Sequence, residues 1–209
     1  GEPQLNRNCE VPEFKHACLG GVYAMKAGGR YLALHGKQKK AITAHLVTDL
    51  SRPTTRKLRF VSEHFSTHLL RADWEEARPV SGKIEEAVIA QALKAIPRVQ
   101  AVILSDYAKG VLSPQVIRAV IAGARKHGKP VIVDPKGLDY RIYRGATLIT
   151  PNRKELGDAA HHPVKTHKDV AAAATKLAKL TGSEAVLVTL SEDGVLLHVK
   201  GRKPVHAPA

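Results

Sequence analysis

Ser105-Asp106-Tyr107-Ala108-Lys109-Gly110, Asp134-Pro135-Lys136-Gly137 and Thr150-Pro151-Asn152-Arg153-Lys154-Glu155 each close a short apolar run within residues 99–155. Runs of this length that alternate with helical patterns read as strands of a parallel α/β sheet, and such sheets bind ligands beyond the carboxyl ends of their strands. Three such ends in a row describe one site assembled from three loops. Their lysines, amide and carboxylates point to phosphate handling.

The pattern extends in both directions from these loops. Residues 81–96 have helical spacing: Ser81 is a candidate N-cap, Glu85 and Glu86 suit the first turns, and Val88, Ile89, Ala92, Leu93 and Ile96 share a face. Pro97 is expected to end this helix, and a strand at 101–104 follows. Ser113-Pro114 opens a second helix with a capping hydroxyl and a proline at the first helical position. Its buried stripe is Val116, Ile117, Val120, Ile121 and Ala124, and Gly128 is its left-handed terminator. The strand at 131–133 is apolar throughout, as expected when helices cover both faces.

After a third strand at 146–149, a short helix carries Glu155 and a His- and Pro-rich loop leads to Thr166. Thr166 and Asp169 have capping-box spacing, and Val170, Ala173, Ala174, Leu177 and Leu180 form the inner face of a helix that Gly182 stops. A strand at 185–190 runs into Ser191-Glu192-Asp193-Gly194, and 195–199 can return as its hairpin partner. The fold class is therefore α/β, with a mostly parallel sheet and right-handed crossovers. Upstream, alternation in 55–61 and 69–74 suggests an antiparallel flap. The first fifty residues show no clean period, only Gly20-Gly21, Gly28-Gly29-Arg30 and the cationic run Lys37-Gln38-Lys39-Lys40.

Composition bounds the partners. With 209 residues and 44% apolar content, the chain has room for about one domain with a sizeable core. Its apolar runs are too short for a membrane helix, and the start Gly1-Glu2-Pro3-Gln4-Leu5-Asn6 lacks a signal-peptide pattern, so a cytoplasmic protein is expected. Cys9 and Cys18 form no C-x-x-C, which suggests neither a zinc site nor a disulfide framework. A net charge of +14, from 33 Lys+Arg against 19 Asp+Glu, suits a phosphorylated or polyanionic partner. Nucleic acid is the weaker choice, because aromatics are only 4%, the basic residues are spread out, and no zinc-finger, RRM-like or leucine-zipper pattern is present. The P-loop pattern G-x-x-x-x-G-K-[ST] and the nucleophile elbow G-x-S-x-G are also missing. His64 and His68, and the loop residues His161, His162 and His167, read as packed or solvated, and Trp74 as a packing residue of the flap.

Each polar cluster has a bland and a functional reading. Asp106 and Lys109 follow a buried strand, where charges cost free energy unless they are paired or face a cleft. The bland reading makes Asp106 a turn cap and Lys109 a solvated side chain. In Asp134-Pro135-Lys136-Gly137, proline stiffens the strand exit, glycine allows close backbone approach, and Lys136 supplies a point charge to a phosphate. Asn152 and Glu155 put an amide and a carboxylate one helical turn apart, able to hold hydrated Mg2+ beside a nucleotide.

Taken together the motifs are specific. The runs Asp106-Tyr107-Ala108-Lys109-Gly110-Val111-Leu112, Val133-Asp134-Pro135-Lys136-Gly137, Tyr143-Arg144-Gly145-Ala146-Thr147-Leu148-Ile149-Thr150-Pro151-Asn152 and Leu187-Val188-Thr189-Leu190-Ser191-Glu192-Asp193-Gly194 resemble the sugar-kinase domains of bacterial ADP-heptose synthases, in the ribokinase (PfkB carbohydrate kinase) superfamily. The match covers roughly 52–209, and Pro53-Thr54-Thr55 with Leu69-Leu70-Arg71-Ala72-Asp73 resembles the family's flap. The resemblance implies one ribokinase-like domain, with flap strands at about 52–75 and an α/β core at about 81–209. It also implies ATP-dependent phosphorylation of D-glycero-D-manno-heptose 7-phosphate at O1, a step toward ADP-heptose and the lipopolysaccharide core. The implied cofactors are ATP and Mg2+. The implied partners are a second copy of the chain, paired through the flap as a homodimer, and a fused or separate nucleotidylyltransferase.

Carried over by motif, Asn152, Arg153, Lys154 and Glu155 lie by the nucleotide phosphates, with Glu155 at the metal, and Ser191 and Gly194 belong to the adenosine loop. Asp106, Lys109, Gly110 and Lys136 fall on the sugar-phosphate side, joined by Arg71 and Asp73 from the flap. Such roles suit phosphoryl transfer, which relies on positioning and charge neutralisation, with a closing flap to exclude water.

The departures are equally specific. The family's Gly-Ala-Gly-Asp motif, whose aspartate is the implied general base, does not occur in the 209 residues. The family's Gly-Gly-x-x-x-Asn pattern is reduced to Gly20-Gly21 with Met25 in place of the amide, and Ser66-Thr67-His68 replaces a Gln-rich flap segment. The expectation is a kinase domain incomplete at both ends. The alternative is a non-catalytic remnant that binds nucleotide, sugar phosphate or nucleic acid through a basic surface.

Overall fold

Apolar residues at period two and at period 3.6 separate into the strands and helices of an α/β unit with an appended β ribbon. The computed structural model describes residues 45–62 and 68–209. The Gly20-Gly21 pair, Met25, Cys9, Cys18, the cationic run at 37–40, Ser66, Thr67 and His64 lie outside the described residues. The ribbon consists of β1 (Arg56–Val61) and β2 (His68–Trp74), paired antiparallel with Lys57 opposite Asp73 and Phe60 opposite Leu70.

The larger sheet holds β3 (Val102–Ser105), β4 (Val131–Asp134), β5 (Leu148–Ile149), β6 (Ala185–Thr189), β7 (Val195–Val199) and β8 (Val205–Ala207), in that spatial order. β3 to β6 are parallel, while β7 and β8 return antiparallel. β8 carries no clear alternation and is an element the sequence reading lacks. β5 is half the length expected, although the Thr147 and Thr150 amides extend its ladder by donating to the Val131 and Val133 carbonyls at 2.8 and 2.9 Å.

Parallel strands laid down in sequential order, with right-handed crossovers, place their connecting helices on one face. Burial follows that rule: Leu104, Val131, Val133, Ile149, Val186 and Val188 face the helices and are buried, whereas alternate residues Ile132, Leu148 and Leu187 are half-buried and Ile103 is 61% exposed. Among the described residues, the fully buried strand positions all lie on one face. Uniform apolarity in β4 could not distinguish them.

α1 (Gly82–Ala95) packs on α2 (Pro114–Lys126), which with α3 (Arg153–Ala160) and α4 (His167–Thr181) covers that face. Ser113 caps α2 as expected by accepting from the Val116 amide, and its hydroxyl also donates to Glu85, which clamps α1 to α2. Ser81 occupies the N-cap of α1 without a side-chain cap bond, and a short 3-10 turn, Ile96–Arg98, carries the chain past Pro97. The stripe of α2 and most of that of α4 are buried as read, but Leu180 is exposed and Ala178 and Thr181 take the inner positions. The Thr166–Asp169 capping box and the left-handed Gly182 terminate α4 as expected.

One close approach joins the segment after β2 to the loop after β3. Gly110 has φ +88, its carbonyl accepts from the Val80 amide at 2.8 Å, and a Cβ there would lie 2.0 Å from the Arg78 carbonyl oxygen. Gly110→Ala is therefore expected to destabilise the fold by at least about 2 kcal/mol, through left-handed strain plus a backbone clash. A lowered urea midpoint with an unchanged m-value checks this, and a parental midpoint contradicts it.

Candidate functional site

The sheet ladder runs past the strand ends and holds the loops level with one another. The Asp106 amide donates to the Asp134 carbonyl at 2.9 Å, the Thr189 amide donates to the Pro151 carbonyl at 3.0 Å, and Asn152 bridges to Thr189. Three loops from β3, β4 and β5 thus leave the sheet side by side, with the loop after β6 next in line.

In the first loop, Asp106 is 9% exposed and both its oxygens face protein. Oδ1 accepts from the Ala108 amide at 2.8 Å, and Oδ2 accepts from the Tyr143 hydroxyl at 2.6 Å. Its bonds are those of a turn cap, the bland alternative for this residue. Lys109 reaches out of the same loop to Glu75, in the hinge after β2. Glu75 also pairs with Lys57 at 3.0 Å, Lys57 with Asp73 at 2.8 Å, and Asp73 with Arg71 at 3.1 Å. Arg71, Asp73 and Lys109 therefore belong to one chain of charges linking ribbon to core. The Lys109 hydrogen bond holds the Glu75 carboxyl below its ordinary range, and the Asp73 bond pushes the Lys57 ammonium up. Glu75 is a residue that sequence reasoning passed over. Its signal is the i, i+2 spacing from Asp73 on a strand's polar face, which resembles any solvated edge.

In the second and third loops, Lys136 Nζ meets Glu155 Oε1 at 2.7 Å. Glu155 Oε2 accepts from the Asn152 amide at 3.0 Å and Asn152 Oδ1 accepts from the Glu155 amide at 2.9 Å, a reciprocal capping box that starts α3. The N-x-x-E spacing read as a metal-side pair is thus also a helix start. Lys136, assigned from sequence to the sugar side, is joined to the residues assigned to the nucleotide side. The Glu155 hydrogen bond pushes its ammonium up. Asp134 ends β4 beside them, and its carboxyl is pushed up, first by burial and then by the Glu155 charge.

Arg153 donates to the Val164 carbonyl at 3.1 Å and to Asp193 at 2.5 Å, which fastens α3 to the loop after β6. Lys154 instead pairs with Asp158 one turn along its own helix and is largely exposed. In the loop after β6, Ser191 has φ 55 and its carbonyl accepts from the Gly194 amide at 3.0 Å. Gly194 has φ +83, and a Cβ there would lie 2.1 Å from the Ala207 carbonyl oxygen, so β8 passes too close for any side chain. The histidines at 161, 162 and 167 serve locally: His161 is the left-handed C-cap of α3, His162 contacts the Pro163 carbonyl at 2.7 Å, and His167 stacks on His206 at 4.1 Å.

The donor set suits a hard cation. Glu155 and Asp134 supply carboxylate oxygens of the kind a hard cation takes, and the Glu155 charge is felt at Asp134. Mg2+ commonly takes one or two carboxylates and completes its shell with water and substrate phosphates, which these two residues could match.

Solved structures share the architecture, a ribokinase-like α/β fold. Arabidopsis thaliana ribokinase complexed with ribose and ATP aligns with a TM-score of 0.60 at 20% identity, over 91% of this chain and 59% of that one. Escherichia coli phosphofructokinase-2 in complex with fructose-6-phosphate aligns with a TM-score of 0.62 at 17% identity, over 87% of this chain and 59% of that one. At these identities the likeness concerns the fold alone. The sequence pattern described as pfkB family carbohydrate kinase matches residues 27–209, and the chain belongs to that family. Among its relatives, the Bifunctional protein HldE of Bradyrhizobium diazoefficiens is 51% identical over 189 residues, 90% of this chain and 38% of that protein. That of Nitrobacter hamburgensis is 54% identical over 164 residues, 78% of this chain and 34% of that protein. The chain spans less than two fifths of the length of these two relatives.

The Asp134 environment gives a pH signature. Its raised carboxyl means that the folded state holds the proton more tightly than the unfolded chain, so stability is lost as pH rises from the ordinary carboxylate range through the raised value. Asp134→Asn is expected to melt above the parent at neutral pH, with the gap closing in acid below the ordinary carboxylate range. A gap independent of pH in thermal melts would contradict this cause.

Proposed function

We propose that this chain carries a heptose 7-phosphate kinase domain, which transfers the γ-phosphoryl group of ATP to O1 of D-glycero-D-manno-heptose 7-phosphate for ADP-heptose and lipopolysaccharide core synthesis. The observation that carries the reading is the Lys136, Glu155 and Asn152 cluster at adjacent strand ends, in a chain about half identical to HldE proteins. The proposed domain organisation is a flap at about 52–75 on a core at about 81–209. A cytoplasmic setting, where ATP and sugar phosphates coexist, and a separate or fused nucleotidylyltransferase belong to the same reading.

In this reading Lys109 and Lys136 meet the anionic substrate, with Gly110 shaping the loop and Arg71 and Asp73 contributed by the flap. Asp106 acts by holding the loop's turn. Both lysines are held by carboxylates here, Glu75 and Glu155, so an arriving phosphate competes for the ammonium groups without leaving them unpaired at any stage. Glu155 would help to hold Mg2+, which would supply neutralisation of the charge on the nucleotide phosphates. Arg153 and Lys154 extend the positive edge of α3, and the Ser191 to Gly194 loop is the proposed adenosine seat. The general base is assigned to no residue of this chain. The remnant reading, with nucleic acid on a basic surface, draws support from the +14 charge alone.

Isothermal titration tests the assignment. Lys136→Ala is expected to weaken heptose 7-phosphate binding about tenfold or more, the scale of a lost charge-assisted hydrogen bond, and Glu155→Gln to weaken Mg-ATP. Salt-sensitive DNA binding that heptose phosphate does not displace would sink the kinase reading.

Homodimerisation through the flap is part of the proposal. Leu58, Phe60, Leu70 and Trp74 lie on one face of the ribbon and are 45–58% exposed, and a lone two-stranded ribbon is marginal in water. Sedimentation should find a dimer that Phe60→Asp converts to monomer, whereas a monomeric parent would rule the ribbon out as an interface.

A further inference from the structure

The buried hydroxyl of Tyr143 lies where two candidate loops meet. Tyr143 is fully buried at the end of the 3-10 turn Tyr140–Tyr143, which Asp139 caps by accepting from the Arg141 amide at 3.0 Å. Its ring packs edge-on against Tyr140, with centroids 5.6 Å apart at 81°. That packing fixes where the hydroxyl can point. The hydroxyl donates to Asp106 Oδ2 at 2.6 Å and accepts from the Lys136 amide at 3.2 Å. It thereby ties the end of β3 to the turn that follows β4.

We propose that Tyr143 is a positioning residue for the phosphate-binding loop, holding the Lys136 backbone against Asp106 so that the Lys136 ammonium is presented to the anionic group of the substrate. The proposal rests on the reading that Lys136 meets that group. Three features support it. Asp106 has its other oxygen committed to the Ala108 amide, so the tyrosine hydroxyl fills the remaining side of a buried carboxylate. The Lys136 side chain is half exposed, so its placement depends on the backbone beneath it. Burial pushes the Tyr143 hydroxyl well above its ordinary range, so it remains a donor throughout any working pH. Phenylalanine would keep the ring and its packing but leave the Asp106 oxygen and the Lys136 amide without their shared partner.

The test compares the full chain with Tyr143→Phe, Lys136→Ala and the double variant, using amide hydrogen exchange and titration with D-glycero-D-manno-heptose 7-phosphate. In Tyr143→Phe the Lys136 amide should exchange about tenfold faster or more, and heptose phosphate affinity should fall about tenfold, the scale of one or two lost hydrogen bonds. In the Lys136→Ala background, Tyr143→Phe should cost no further affinity, whereas a merely structural loss would weaken binding in either background. Asp106→Ala removes the same link from the other side and should reproduce the faster Lys136 exchange, so the proposal stays testable if Tyr143→Phe folds poorly. A Lys136 amide that exchanges at the parental rate, or additive losses in the double variant, overturns the proposal. Faster Lys136 exchange with unchanged binding in Lys136→Ala shows instead that the underlying phosphate reading has failed, and the proposal fails with it.

Discussion

Hydrogen bonds that continue the β ladder beyond the strands set the geometry of everything at the candidate site. The strands themselves are short, β5 only two residues long, yet the Asp106, Thr150 and Thr189 amides all donate to the neighbouring strand or its exit. A loop that starts from a paired backbone has few conformations left, so its side chains are placed at little further entropic cost. Level exits let side chains 19 residues apart, Lys136 and Glu155, form one ion pair.

Charge in the site is organised in two groups. One runs from Arg71 and Asp73 on the ribbon through Lys57 and Glu75 to Lys109, and the other joins Lys136, Glu155 and Asn152 beside Asp134. Cations preassembled on carboxylates are soluble and oriented without ligand, and they can change partners when a phosphate arrives. The first group also couples ribbon position to the core loop, because Glu75 lies in the hinge and touches both sides.

The one-sided burial of the sheet marks the limit of pattern reading. Val131 and Val133 are buried while Ile132 between them is half-buried, though all three carry the same apolar signal. Hydrophobicity records that a residue can be buried, whereas the order of strands decides which face receives the helices. Leu180 fails for a related reason: its helical spacing fits the inner face, but Ala178 and Thr181 are the buried residues of that last turn.

Sequence alone determined what depends on neighbours along the chain. Alternation placed the ribbon, Ser113-Pro114 and Thr166 with Asp169 started helices, Gly128 and Gly182 stopped them, and the motifs after the strands marked the family and the candidate site. Those features are local because caps, turns and periodicity act over a few bonds. Tertiary structure decided the partners: Lys109 with Glu75 across 34 residues, Asp106 with Tyr143 across 37, and Lys136 with Glu155 rather than with the other sugar-side candidates. Nothing within a window of sequence distinguishes a solvated lysine from one held by a distant carboxylate. Which of these a lysine becomes depends on the strand order that brings the loops together, and that order is a property of the whole fold.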